Sequence, residues 1–331
     1  MTKRELVYSA LNHEQNSRVP YMIMLTTKGV EAYGEQLLKD YPNELVEEDL
    51  AKGKLSLGEA VSLAIGNHMF CVSAPWWGWH KLPPEFAEED TPTTMPRVIG
   101  YGSYEKYFEH VQYVADRYDA YILNTIWGSH WEKAYFSRGI QNFLADLAAD
   151  PDWSGRLLKM IIRKNIVMLE NFLQEDKVDG VLLGSDWGTQ RDLLMSPACW
   201  RELIKDGEQQ EYDLVHSYGK HVFVHSCGCI ERVLGDLCEM GLDALNPVQP
   251  ECMDLASLKK NYGHQLTYFG GISTQRTLPY GTPEEVWKET EDTIDLMSVN
   301  GGYITAPSQE IQTDVPYANL RALIDAAKSR A

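Results

Sequence analysis

Basic residues are scarce in this chain: 30 lysines and arginines stand against 48 aspartates and glutamates, a formal net charge of −18. Nucleic acids and anionic membrane surfaces repel such a protein, so we expect neither as a partner. The sequence also lacks any run of 18 or more apolar residues, which argues against a transmembrane helix. The N-terminus carries charges but neither an apolar core nor a small-residue cleavage site, so we expect a cytoplasmic location.

Cysteine is sparse as well. Six cysteines among 331 residues are few for a disulfide scaffold, and a chain of this length builds its core without such cross-links. We therefore expect reduced thiols. Cys199 and Cys238 lie in helical patterns and are interpreted as packing residues, whereas Cys227 and Cys229 lie close enough to raise the question of metal or redox chemistry.

Internal repeats, low-complexity segments and linkers are also missing, so we predict a single domain over 1–331. Short β-rich runs alternate with longer helical patterns, which is typical of an α/β protein with a parallel sheet. The eight runs predict a (β/α)₈ TIM barrel, preceded by a helical lead-in over 1–18 and interrupted by a loop excursion over the barrel mouth at 75–95. The predicted strands are 19–25, 69–73, 120–125, 180–184, 221–225, 244–248, 267–270 and 303–306.

The strongest chemical signal lies at the end of the fifth predicted strand. His225 ends a β-branched and aromatic run, and Cys227 follows two residues later. The carboxyl ends of barrel strands carry the active site, and residues two apart in an extended chain point to the same side. A nitrogen and a thiolate ligand together suit Zn²⁺. The alternative is a hydrogen-bonded histidine beside a buried thiol.

Four segments, taken in order, resemble the C-terminal half of the uroporphyrinogen decarboxylase superfamily, from about residue 175 to the end. This resemblance implies a (β/α)₈ barrel independently of the strand count. The segments are His-Ser-Cys-Gly at 225–228, Asn-Pro-Val-Gln at 246–249, Phe-Gly-Gly-Ile-Ser at 269–273 and Gly-Tyr-Ile-Thr-Ala-Pro-Ser at 302–308.

The superfamily contains two chemistries. The decarboxylase proper carries an Arg-Gln-Ala-Gly-Arg motif near its N-terminus, and the matching stretch here, 21–29, has no such arginine pair. The sequence is more similar to the cobalamin-dependent methyltransferases, whose zinc motif is His-x-Cys followed by a later cysteine. His225 and Cys227 match the first two positions, but Gln309 stands at the third. The resemblance therefore implies another ligand, for which we favour Glu310, with Cys229 or Cys252 as less favoured alternatives.

Aromatic and polar residues are abundant where the loops of the predicted barrel meet. They suit a flat or apolar substrate, although packing against the core is an alternative for each tryptophan. Asp186 and His130 are candidate proton donors, and Glu132 and Arg138 are weaker candidates; a cap or loop hydrogen bond is the alternative for each. The predicted substrate or corrinoid pocket comprises Trp76, Trp77, Trp127, Trp187, Gln190 and Gln249.

The resemblance implies a zinc-dependent methyltransferase that acts on a small methylated substrate. The aromatic residues at the predicted mouth and the missing third cysteine favour demethylation, with a methoxylated aromatic as the leading substrate class. The corrinoid is expected on a separate partner protein. The rivals are a metal-free lyase or decarboxylase that uses Asp186 as its acid–base group and a non-catalytic corrinoid- or tetrapyrrole-binding module. The oligomeric state stays open, with a homodimer among the alternatives.

Overall fold

A computed structural model describes residues 1–75, 103–126 and 128–331. Seven strands alternate with helices along the chain, and every ladder described within the two units below is parallel. This is the (β/α) arrangement of a TIM-type fold with an N-terminal helical region, so the predicted fold class is confirmed. The strands are β1 (Met69–Val72), β2 (Tyr121–Ile126), β3 (Gly180–Gly184), β4 (His221–His225), β5 (Ala244–Val248), β6 (Thr267–Ile272) and β7 (Tyr303–Pro307).

Fifteen α-helices lie in the described residues, and among these helices none has the combination of length and hydrophobicity that a bilayer crossing requires. They are α1 (Lys3–Leu11), α2 (Thr27–Asp40), α3 (Glu44–Ala51), α4 (Leu57–Ala64), α5 (Tyr104–Tyr118), α6 (His130–Arg138), α7 (Ile140–Ala149), α8 (Pro151–Phe172), α9 (Pro197–Leu203), α10 (Lys205–Ser217), α11 (Leu234–Glu239), α12 (Leu255–Tyr262), α13 (Thr277–Tyr280), α14 (Pro283–Met297) and α15 (Tyr317–Ser329).

The chain divides into two compact units. Unit 1 comprises Met1–Phe70, Arg117–Tyr121 and Ala244–Ala331, and unit 2 comprises Cys71–Asp116 and Ile122–Asp243. In unit 1, β5 pairs with β6 and β6 pairs with β7. In unit 2, β2 pairs with β3 and β3 pairs with β4, so chain order is also the order of these strands.

Of the eight predicted strands, only the first, 19–25, does not form a continuous strand. The segment makes two isolated parallel bridges, Tyr21 to Thr305 and Leu25 to Ile311, rather than a continuous ladder. The Tyr21 carbonyl also accepts a hydrogen bond of 3.1 Å from the His68 backbone, just before β1. The segment therefore lies beside β7 as an extended chain whose pairing is interrupted.

The core of unit 1 includes the apolar face of the C-terminal helix, α15. Leu320, Leu323, Ile324 and Ala327 are buried, because residues three and four apart share one side of a helix. The preceding α14 begins at a capping box, in which Thr282 and Glu285 each accept the other's backbone N–H. Both features follow from local sequence. In unit 2, β2, β3 and nearly all of β4 are buried, as expected of parallel strands.

Candidate metal centre

The neighbouring ends of β3 and β4 set the position of the candidate site in unit 2. Gly184, the last residue of β3, is in register with His225, the last residue of β4. The pairing continues for one more bond, in which the Ser185 N–H donates to the His225 carbonyl at 2.8 Å. The two loops therefore leave the sheet side by side, at the carboxyl ends where barrel enzymes place their chemistry.

Two glycines let these loops pack backbone against backbone. A Cβ at Gly188 would lie 2.5 Å from the Cys227 carbonyl oxygen, and one at Gly228 would lie 2.4 Å from that of Thr189. Gly228 also has a φ of +82°, a backbone conformation that L side chains rarely adopt. The Cys229 N–H donates to the Thr189 carbonyl at 2.7 Å. Because no side chain separates the loops, Asp186 on one can reach Cys227 on the other.

Asp186, His225 and Cys227 form a group of ligand-type side chains whose nitrogen, sulfur and oxygen atoms all lie within 4.8 Å of one another. The His225 Nε2 is 3.4 Å from the Cys227 Sγ and 3.8 Å from the Asp186 Oδ1. The Cys227 N–H donates to the same Asp186 Oδ1 at 2.8 Å. The Asp186 side chain is 38% exposed and that of His225 is 8% exposed, so solvent reaches the group.

This donor set fits a zinc ion. Zinc bonds of about 2.3 Å to sulfur and about 2.0 Å to nitrogen, set at a tetrahedral angle, separate the two ligand atoms by about 3.5 Å. The Nε2–Sγ distance of 3.4 Å is close to that value, and the Asp186 oxygen at 3.8 Å requires a shift of only a few tenths of an ångström. An imidazole, a thiolate and a carboxylate are all ordinary ligands of zinc.

The other predicted ligands stay predictions. Cys229, in unit 2, is half-buried, and its thiol belongs to neither of the two groups of ligand-type side chains found in the described residues. Glu310, in unit 1, donates its backbone N–H to its neighbour Gln309 at 2.9 Å, and burial raises the pKa of its carboxyl. The Cys252 thiol, also in unit 1, lies 3.8 Å from the amide oxygen of Gln249, which is buried.

Of the four tryptophans predicted to line the pocket, the structure describes only Trp187. Trp76, Trp77 and Trp127 lie outside the described residues, as does nearly all of the predicted excursion at 75–95. Trp187 is fully buried and meets Trp200 edge to face, with ring centroids 5.3 Å apart and planes at 80°. Its ring is therefore a packing element with no surface left for a substrate. Gln190 is exposed on the same loop.

His130 is buried rather than solvent-facing. Its Nε2 lies 3.2 Å from the Ile204 carbonyl oxygen, and its Nδ1 lies 3.2 Å from a Glu208 carboxylate oxygen. Burial lowers the pKa of His130, but the nearby carboxylates of Glu208 and Glu211 outweigh it, so the pKa is raised. His130 thus belongs to a second group of ligand-type side chains, with Glu208 and Glu211.

Glu132 was only a weak candidate in the sequence, and its partner Tyr135 was not one at all. Glu132 accepts the Gly128 N–H at 3.0 Å on Oε2 and the Tyr135 hydroxyl at 3.2 Å on Oε1. Burial and the nearby charge of Asp186 raise the pKa of the Glu132 carboxyl to about 7. The spacing of three residues at the start of the helix after β2 is the signal that could have revealed this pair.

The raised pKa predicts a pH-dependent contribution of Glu132 to stability. Below pH 4.5 the carboxyl is protonated in the folded and unfolded states alike; as pH rises through about 7, the folded state must ionise a buried group. In metal-free protein, we expect the free energy of unfolding to fall between pH 4.5 and pH 8 by about 3 kcal/mol more in the wild type than in Glu132→Gln. Urea unfolding at pH 4.5 and pH 8 measures this difference.

The matched control for that experiment is Glu170→Gln, which removes an exposed carboxylate on α8. Its unfolding free energy is expected to follow the wild-type pH dependence. If Glu132→Gln also follows the wild type at both pH values, the Glu132 carboxyl is not held in its protonated form by burial.

The fold and the site define a TIM-type barrel protein with a candidate metal-binding group at the ends of β3 and β4. The chain belongs to the uroporphyrinogen decarboxylase (URO-D) family, whose model matches residues 96–330. This membership agrees with the superfamily resemblance found in the sequence. A sequence comparison with curated proteins gives no match.

Solved structures extend the comparison. A methyltransferase from Methanosarcina mazei is similar over 99% of both chains, with a TM-score of 0.74 and 17% sequence identity, which shows a shared fold. A β-mannanase from the blue mussel Mytilus edulis has a TM-score of 0.47 at 13% identity, over 94% of this chain and 92% of its own. A D-psicose 3-epimerase has a TM-score of 0.43 at 10% identity, over 90% and 91%. The last two scores are too low to support any argument.

Proposed function

We propose that this protein is a zinc-dependent methyltransferase, which moves a methyl group between a small methylated substrate and a corrinoid carried by a partner protein. The observation that carries the proposal is the Asp186, His225 and Cys227 group at the carboxyl ends of β3 and β4. Membership of the URO-D family and the fold shared with the Methanosarcina mazei methyltransferase support it. The superfamily resemblance at 225–228 favours the corrinoid-dependent branch.

Three side chains would hold the ion: the His225 Nε2, the Cys227 Sγ and the Asp186 Oδ1. Bound there, Zn²⁺ would act as a Lewis acid toward the heteroatom that carries the methyl group, and three protein ligands leave a position for that heteroatom. The Cys227 N–H holds the Asp186 carboxylate in place through its 2.8 Å hydrogen bond. Asp186 thus takes the ligand position for which the sequence offered Glu310.

Demethylation of an ether leaves a phenolate or an alkoxide that must gain a proton. We assign the Glu132 carboxyl as the source of this proton. Its Oε1 accepts a hydrogen bond of 3.2 Å from the Tyr135 hydroxyl. A pKa of about 7 lets the Glu132 carboxyl both hold and release a proton near neutral pH. The charge of Asp186 affects the pKa of both Glu132 and Tyr135, so these groups lie near the candidate metal ligands.

Asp186→Asn tests the ligand assignment with the smallest change of shape. An amide is a weaker zinc ligand than a carboxylate, so we expect zinc affinity and kcat/KM for methyl transfer each to fall at least about tenfold. The assay contains a methoxylated aromatic, a reduced free corrinoid and zinc-loaded protein. Asp152→Asn removes the same charge from an exposed position on α8 and is expected to behave as the wild type.

A metal-free lyase that uses the half-exposed Asp186 as its acid–base group is the competing function. The two functions differ in their response to metal removal. The methyltransferase is expected to lose activity with a chelator and regain it with added Zn²⁺, whereas a metal-free decarboxylase is indifferent to both. Chelator-resistant decarboxylation that is lost in Asp186→Asn would establish the competitor and contradict the proposal.

A further inference from the structure

A second group of ligand-type side chains lies wholly inside unit 2, where α6 packs near α10. His130 begins α6, and Glu208 and Glu211 lie one turn apart on α10. Their side chains are 1%, 0% and 0% exposed. The His130 Nδ1 is 3.2 Å from the Glu208 Oε1 and 3.9 Å from the Glu211 Oε2. One ligand atom from each of the three residues lies within 4.8 Å of the other two.

The imidazole of His130 is oriented for ligation. A carbonyl oxygen can only accept a hydrogen bond, so the Nε2 that lies 3.2 Å from the Ile204 carbonyl must carry a hydrogen. Nδ1 faces the two carboxylates, so with a metal ion in place of its proton the Nδ1 lone pair would point at that ion. Histidine ligands of metal ions are commonly oriented by such a bond from the other ring nitrogen. Gly207 leaves room for the ring, because a Cβ there would lie 2.8 Å from the His130 Nε2.

Each glutamate has one oxygen that a cation would satisfy. Glu208 Oε1 accepts a bond of 3.3 Å from the Ser185 hydroxyl, and Glu211 Oε1 accepts one of 2.8 Å from the Asn165 amide. Within the part of the chain that the structure describes, Oε2 of both glutamates is buried without a hydrogen-bond partner. Burying a carboxylate oxygen without a donor or a cation is costly.

The two buried carboxylates of the group also need two positive charges to balance them. Lys133 is buried beside the group and donates to the Asn165 amide oxygen at 2.7 Å, so its positive charge balances one of the two carboxylates. A bound cation or a protonated His130 would balance the other.

We propose that His130, Glu208 and Glu211 bind a structural divalent transition-metal ion, Mn²⁺ or Zn²⁺, through the His130 Nδ1 and one oxygen of each carboxylate. One imidazole and two carboxylates are a donor set that both ions accept. Such an ion would link α6 to α10 through its protein ligands. Because α6 also carries Glu132 and Tyr135, it would hold that pair in place. The site is separate from the Asp186, His225 and Cys227 group, so it does not depend on the proposed function.

Metal analysis in a protein without the first site tests the proposal. After expression with Mn²⁺ and Zn²⁺ and exhaustive dialysis, we expect about two equivalents of metal in the wild type and about one in His225→Ala/Cys227→Ala. Adding Glu211→Gln is expected to remove the remaining equivalent, whereas adding the exposed Glu170→Gln is expected to leave it. Metal-free His225→Ala/Cys227→Ala that still contains Glu211 should gain roughly 3–5 °C in Tm on addition of Mn²⁺ or Zn²⁺.

The Tm measurement keeps the test decisive if the Glu211→Gln protein fails to fold. No metal in folded His225→Ala/Cys227→Ala, together with an unchanged Tm on metal addition, would overturn the proposal. The His130 ring would then be an imidazolium that balances the carboxylates by itself, which ¹⁵N NMR of the His130 ring detects as protonation of both nitrogens at neutral pH.

Discussion

Replacing His225 with alanine is expected to reduce methyl transfer to a corrinoid at least about a thousand-fold. A Lewis-acidic ion contributes several kcal/mol to the stabilisation of developing charge, and about 4 kcal/mol corresponds to a factor of about a thousand in rate. Without the Nε2, which is 3.4 Å from the Cys227 Sγ and 3.8 Å from the Asp186 Oδ1, only two ligands of the group remain. A catalytic zinc site normally has three.

The experiment compares kcat/KM, zinc content and thermal unfolding of the wild type and His225→Ala. His216→Ala is the matched control, because His216 is a part-exposed histidine on α10 that bonds to Asp243 at 2.8 Å. We expect the control to keep its zinc and its activity. Retention of more than about a tenth of the wild-type activity by folded, zinc-free His225→Ala would show that His225 has no metal-binding role in the reaction.

Gly228→Ala is expected to have the largest effect on the fold around the site. The new Cβ would lie 2.4 Å from the Thr189 carbonyl oxygen and 2.7 Å from the Gly188 carbonyl carbon, at a φ of +82°. Both neighbours are backbone atoms, so the clash is relieved only by moving the two loops apart. We expect a loss of about 3 kcal/mol in the free energy of unfolding and weaker zinc binding, because Asp186 and Cys227 separate.

Gly219→Ala isolates the part of this effect that comes from backbone conformation. Gly219 has a φ of +68°, but a Cβ there would have no atom within 4 Å. Alanine at this position is expected to cost about 1 kcal/mol and to leave zinc binding unchanged. Urea unfolding and zinc titration of the two variants provide the comparison. Equal losses of stability, with zinc binding intact in both, would show that the close approach of the loops is not needed for the site.

The fold was predictable because buried parallel strands have a recognisable composition. Seven of the eight predicted runs became strands, with ends that differ by no more than two residues. The segment at 19–25 has the same apolar character, yet it forms only isolated bridges at Tyr21 and Leu25. Composition reports burial and extension. It does not report whether hydrogen bonds to a neighbour are continuous, since these depend on the register of a partner distant in sequence.

The site was predictable only in part. His225 and Cys227 are two residues apart, so strand geometry alone brings them together, as the Nε2–Sγ distance of 3.4 Å shows. Asp186 joins them through the register of Gly184 with His225 and through the close approach of Gly188 to the Cys227 carbonyl. Neither is visible in local sequence. Local sequence therefore points to the family's later cysteine position and to Glu310 for the third ligand, and the role of Glu310 stays a prediction.

The aromatic residues show a related limit, because local sequence does not distinguish a pocket residue from a core residue. A tryptophan after a strand is equally compatible with a substrate pocket and with the core, and Trp187 lies in the core against Trp200. His130 and Glu132 are two residues apart on α6, yet one belongs to a buried group of ligand-type side chains and the other lies near Asp186. Their separation depends on which face of α6 meets α10, which is a property of helix packing.

Anomalous diffraction at the zinc absorption edge, from crystals grown with Zn²⁺, shows directly whether Asp186, His225 and Cys227 hold a zinc ion. We expect a peak within bonding distance of the His225 Nε2, the Cys227 Sγ and the Asp186 Oδ1, because ligand atoms of these three residues already lie within 4.8 Å of one another. A zinc-loaded crystal with no peak at these three atoms, or with the two side chains of His225 and Cys227 turned away from each other, would contradict it.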